Sequence, residues 1–168
     1  RTHTDKNDTS EEAARRRARE IEAVKPIIQK LKETGWTFGC HSWGHINLSS
    51  ASTEKIKADT ERWLDEVGSL VGPTKIYFYP FGARPDGSDV KQTGPSFKYL
   101  QSVGFRVFCS VGIDSFSKIK TDISAVICDR MHPDGMTLRN QRDRYLRFYD
   151  AKEVFDYENR PDYGVSWN

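Results

Sequence analysis

Three short runs rich in aromatic and β-branched residues, 75–79, 105–111 and 125–131, alternate along the chain with segments of helical periodicity. That alternation is the strongest constraint on the fold. Strands interleaved with amphipathic helices cannot stack as a bundle or a sandwich, and they point to an α/β layer or barrel with parallel strands. In such folds ligands collect at the carboxyl ends of the strands.

The helical segments carry their own punctuation. Thr9 and Glu12 form a T-x-x-E capping box. The helix after it places Ile21, Val24, Ile27, Ile28 and Leu31 on one stripe. Pro26 predicts a kink or a new helix start, and Gly35 a stop. A short strand is expected over 36–40 and a loop over 41–52. Ser52 or Thr53 then caps a second helix that buries Ile56, Trp63, Leu64, Val67, Leu70 and Val71, with Gly72-Pro73 ending it. The stretch 82–94 reads as a polar loop and 95–103 as a short helix. In the mixed, aromatic stretch 139–168 only a short helix near 142–149 is expected.

Size and composition fit one domain, with 1–10 as a loop or tail and 11–168 as a single, partial α/β unit. The 168 residues are 36% hydrophobic and 30% charged, and 9 Phe, 7 Tyr and 4 Trp supply large burial units that argue against disorder. The densest basic run, Arg15-Arg16-Arg17 with Arg19, is flanked by Glu11, Glu12, Glu20 and Glu22, so its field cancels and nucleic acid is not an expected partner. No apolar run reaches the ~20 residues of a membrane span. Cys40, Cys109 and Cys128 lie in apolar stretches without C-x-x-C spacing. They read as buried free thiols rather than a disulfide framework or a zinc finger.

Two segments carry chemistry. His41-Ser-Trp-Gly-His45 follows a strand and precedes a helix cap, and a spacing of four puts both imidazoles on one face of a helical turn. Such a pair can hold a divalent ion, zinc being the usual one. A structural pair of core histidines is the plainer alternative. The next strand ends in Tyr77-Phe-Tyr-Pro-Phe-Gly-Ala83, where Pro80 stops the ladder and Gly82 allows a sharp turn. Backbone N–H groups at such a turn can face an anion or a developing oxyanion, although a plain strand exit has the same sequence.

Together HSWGH and YFYPFGA, in this order and joined by a helix of mixed charge, resemble the second and third motifs of the polysaccharide deacetylase family (carbohydrate esterase family 4, the chitooligosaccharide deacetylase-like domain). The resemblance extends over residues 20–135 with decreasing clarity. It implies part of a deformed (β/α) barrel and a metal-dependent hydrolase that removes N-acetyl groups from an amino sugar of a polysaccharide or peptidoglycan. It implies a divalent metal, zinc, held by His41, His45 and one Asp. Phe81 would offer its backbone N–H to the oxyanion, and His132 would act as general acid. The family arginine would fall at Phe78 and is lost. Trp43, Tyr77, Tyr79 and Phe81 can stack on sugar, with Trp43, Tyr79 and Pro80 assigned to substrate.

The family's first motif, T-F-D-D-G, which supplies the catalytic base and the Asp ligand, is absent. Asp5 and Asp8 do not replace it, since no strand precedes them, and Asp114 reads as a turn or cap residue. The expectation is therefore a carboxyl-terminal part of a deacetylase domain, inactive alone and completed by an upstream segment of the same protein. A secreted or cell-surface location follows from the resemblance only. The alternatives are a non-catalytic carbohydrate-binding relative, or a generic α/β domain in which the His pair is structural.

Overall fold

A computed structural model describes residues 9–112, 117–131 and 134–148. The chain opens with α1 (Glu11–Glu33), whose N-cap is Ser10, accepting from the Ala13 N–H at 3.2 Å, one residue beyond the expected Thr9 box. Pro26 does not divide the helix. It removes one backbone donor on an exposed side, where water can satisfy the orphaned carbonyl. Gly35 ends α1 at φ +88°, with Gly35 N–H donating to Lys32 O and Trp36 N–H to Leu31 O, both at 3.0 Å. This is the paired bonding of a Schellman stop.

The next helix, α2 (Thr53–Trp63), is capped by Ser52, whose hydroxyl accepts from Lys55 N–H at 3.3 Å. It runs through a wide turn, Leu64–Gly68, into α3 (Ser69–Val71). Ile56, Trp63 and Val71 are buried, whereas Leu64, Val67 and Leu70 are half-covered. Then come β1 (Ile76–Phe78), the turn Pro80–Gly82, the short α4 (Pro85–Ser88), α5 (Pro95–Ser102) and β2 (Val107–Val111). The described part closes with β3 (Lys118–Lys120), β4 (Ala125–Arg130), α6 (Gly135–Asn140) and α7 (Arg142–Tyr145). The polar loop after Gly82 is organised by Asp86, which accepts the N–H groups of Ser96 at 3.1 Å and Phe97 at 3.0 Å at the start of α5.

The sheet order is β1-β2-β4-β3. β1, β2 and β4 are parallel as expected, and β3 pairs antiparallel with β4. β3 and α6 lie outside the expected elements: Lys-Ile-Lys leaves Ile119 exposed and is too short for its alternation to mark a strand, and α6 is set by an Asp134–Thr137 capping box. The expected strand at 36–40 contracts to one parallel bridge, Cys40 to Tyr77. The α/β reading holds, and the described sheet is partial and open rather than a closed barrel.

One face of the sheet is the core. Tyr77, Tyr79 and Phe108 project from it toward α2 and α5, meeting Phe97 and Phe105 at ring distances of 4.6–6.0 Å. The register places Phe78, Cys109 and Cys128 in one row on the opposite, less covered face. Register also brings the carboxyl ends of three parallel strands to one edge, directly beside the chain that leaves Cys40.

Candidate functional site

The turn after Cys40 is where local sequence and tertiary contact meet. Residues 41–47 are not a helical turn; Ser42 and His45 sit in the left-handed region at φ 61° and 52°. Such conformations cost of order 1–3 kcal/mol for non-glycine residues and persist only where the surroundings enforce them. Here the enforcing group is Asp59 on α2. Its buried carboxylate accepts the consecutive N–H groups of Trp43 at 2.9 Å and Gly44 at 2.7 Å. Gly44 favours that approach, since a Cβ there would lie 3.0 Å from the carboxylate, a tight contact. Ser42 Oγ accepts from Ile46 N–H at 3.2 Å and closes the loop on itself.

This scaffold brings the two imidazoles together, with ring centroids 5.0 Å apart at 76°. His41 Nδ1 lies 2.9 Å from the Phe78 carbonyl. A carbonyl only accepts, so Nδ1 carries the proton and Nε2 keeps its lone pair. Burial is the main influence holding the His41 pKa below its ordinary value. The carbonyl bond opposes it, and the positive Arg130 and neighbouring His45 reinforce it. The imidazole is thereby kept in its neutral, ligating form. Cys40 is a contrast one residue away: burial pushes its thiol up to about 12, so it is neither a thiolate ligand nor a nucleophile near neutrality.

The Pro80–Gly82 turn forms the second wall. Phe81 is left-handed at φ 57°, 66% exposed, and packs edge-on against His45 with centroids 4.6 Å apart. Gly82 has φ +68°, and a Cβ on it would meet Val111 N at 2.9 Å, so only glycine allows the turn to lie against the end of β2. Ser110 Oγ donates to Gly82 O at 2.6 Å and fixes it there.

A third group enters from β4. Arg130 lies over the Phe78 ring at 5.9 Å and donates to Tyr79 O at 3.4 Å, while Asp129 pairs with Arg84 at 3.6 Å. A guanidinium thus stands beside Phe78 of β1, contributed by β4, with β2 lying between the two strands.

His41, His45 and Phe81 are therefore assembled in one place. Two substrate assignments need correction. Tyr79 is 0% exposed, stacked on Phe108 at 6.0 Å, and Pro80 is also buried. A residue with no open face cannot stack on a ligand. Tyr77 is buried in the same way. Trp43 is half-exposed, but one ring face is covered by the Arg62 guanidinium at 3.6 Å and its Nε1 donates to Glu66 at 2.7 Å. His132 and Asp114 lie outside the described residues, as do Asp5 and Asp8. Among the described residues, no three His, Cys, Asp or Glu side chains cluster as a metal site.

Asp59, Ser42 and Arg130 are additions that sequence reading missed. Asp59 had a legible signal: it falls on the Ile56–Thr60–Trp63 stripe of α2, where a carboxylate needs a buried partner.

The model of the polysaccharide deacetylase family matches residues 7–99, more than half of the chain. No curated protein matches it. Among solved structures, the chain is similar to a mutant CE4 family pseudoenzyme with restored enzymatic activity. The identity is 13% and the TM-score 0.44, over 81% of this chain and 50% of the other. This chain spans half the length of that structure.

Proposed function

The chain belongs to the polysaccharide deacetylase family, and from that premise we propose that it is the His-bearing part of a metal-dependent hydrolase that removes N-acetyl groups from polysaccharide or peptidoglycan amino sugars. The observation that carries the reading is the His41–His45 pair held by Asp59, with the His41 Nδ1 proton committed to Phe78 O. A histidine anchored through one nitrogen to a carbonyl has the arrangement of a metal ligand, because the anchor fixes ring orientation and raises the basicity of the other nitrogen.

The donor set fits a divalent ion, zinc first, as two of its ligands. The third ligand and the catalytic carboxylate come from outside the described residues, in keeping with an upstream segment of the same protein. A divalent ion held by His41 and His45 would supply Lewis-acid chemistry, polarisation of an amide carbonyl and a lowered pKa for water. This chain's own contributions are distinct from that. His41 and His45 hold the ion. Phe81 presents its backbone N–H in the turn where an oxyanion develops, and its exposed ring gives the sugar an apolar wall beside His45. His132 protonates the departing nitrogen. A cell-wall polymer as substrate places the protein outside the cell. No described helix is long and apolar enough to cross a membrane.

A non-catalytic, carbohydrate-binding relative is the second reading, favoured by the lack of a three-ligand cluster among the described residues. Zinc content and acetate release from N-acetylglucosamine oligomers, measured on the whole protein, test both. His41→Ala or His45→Ala should strip most of the metal and the turnover. Full zinc retention by both variants overturns the site. Zinc bound and sugar bound without acetate release selects the second reading.

A further inference from the structure

The proposed chemistry leaves two sulfur atoms unused, and they are close together. Cys109 on β2 and Cys128 on β4 are direct register partners in adjacent parallel strands. Their Sγ atoms are 3.0 Å apart. Adjacent strands lie ~4.7–4.9 Å apart, inside the Cα separation of ~4.4–6.8 Å that a disulfide spans. We propose that Cys109 and Cys128 form a reversible intramolecular disulfide that staples β2 to β4 beneath the candidate site.

Access and position support the assignment. Both side chains share the less covered face of the sheet, and Cys128 is half-buried, whereas Cys109 is nearly enclosed. Cys128 is therefore the entry point for an external disulfide such as oxidised glutathione. Its thiolate attacks one sulfur of glutathione disulfide, giving a mixed disulfide and releasing one glutathione. The Cys109 thiolate then attacks Cys128 Sγ, closing the intramolecular bond and releasing the second glutathione. The two cysteines lose two electrons and two protons, and the two glutathione thiols carry both away. Burial and the neighbouring thiol push the Cys109 pKa up to about 12, which makes closure slow near neutrality without opposing it at equilibrium. Cys40 lies on the far side of β1, fully buried, and takes no part.

The bond would tie the supports of the site to each other. Ser110, next after Cys109, holds the Gly82 carbonyl, and Arg130, two residues after Cys128, reaches the Tyr79 carbonyl. The cysteines lie 19 residues apart, so closure also restricts the unfolded chain.

The test is a thiol count. The purified protein is equilibrated in glutathione buffers from reducing to oxidising, acid-quenched, unfolded, alkylated with N-ethylmaleimide and weighed. For this chain, labelling should fall from three cysteines to Cys40 alone, with a peptide pair joined through Cys109 and Cys128. In Cys128→Ser, Cys40 and Cys109 should both stay labelled. Three labels at the oxidising extreme, a linkage through Cys40, or glutathione retained on Cys128 as the end state would each overturn the proposal. The wild-type count decides even where the variant folds poorly, and it is independent of metal and turnover.

Discussion

Helices α1 and α2 begin alike and end in different roles. Each is capped by a serine hydroxyl, each starts with acid and ends with base, and each carries apolar residues at helical spacing. Yet the 23-residue α1 buries only Ala13, leaving Ile27 57% exposed, while the 11-residue α2 buries Ile56, Asp59, Thr60 and Trp63. Length and capping make a helix. Packing against the aromatic face of the sheet makes a helix matter, because burial rather than propensity supplies most helical stability in proteins. The second helix then does something the first does not: it spends a buried carboxylate on two backbone N–H groups of the His loop.

The comparison breaks most easily at its apolar residues. Ile56→Ala should destabilise the fold by about 2–5 kcal/mol, through lost burial and a residual cavity. Ile27→Ala should stay within about 0.5 kcal/mol. Urea unfolding of the two variants measures both, and equal losses would mean that the α1 stripe is as well packed as that of α2.

A smaller effect separates packing from anchoring within α2. Asp59→Ala orphans the Trp43 and Gly44 donors and should cost about 1–3 kcal/mol, the range for leaving a buried hydrogen-bonding group unsatisfied. The His loop should loosen with it. Zinc retention in Asp59→Ala should therefore fall further than in Ile56→Ala at matched folded fraction. Equal zinc affinity in the two variants would reduce Asp59 to a packing residue.

The smallest expected effect is a pH arm. Burial holds the His41 pKa below the ordinary ~6.5, so below that pH the unfolded chain takes up this proton before the folded one does. The resulting penalty is absent above ~6.5, and it grows as pH falls from there through the folded value. His41→Ala should flatten that arm of the stability profile. α1 contains no histidine, so Ile27→Ala should leave the arm as it is.

Part of this was readable residue by residue. The second cap fell at Ser52, a helix formed at 95–102, and β1, β2 and β4 appeared within two residues of their expected bounds. Each of these depends on neighbours a few positions away. The expected box at Thr9 slid to Ser10, because two adjacent hydroxyl residues compete for one cap and only the final backbone angle chooses. The His spacing was legible, but its reason was not: two left-handed residues, not a helical turn, bring the rings together.

By itself, then, the sequence determined the strand–helix alternation, the His pair and the Pro-Phe-Gly turn, since period, proline and glycine act through local backbone geometry. Only the tertiary structure decided that Asp59 holds the loop, that Arg130 reaches Phe78 from another strand, that Tyr79 and Pro80 face inward, and that Cys109 meets Cys128. Each of these depends on strand register or helix docking. Those are set by the packing of the whole core, and a one-residue shift in register would have turned every one of the strand side chains to the other face.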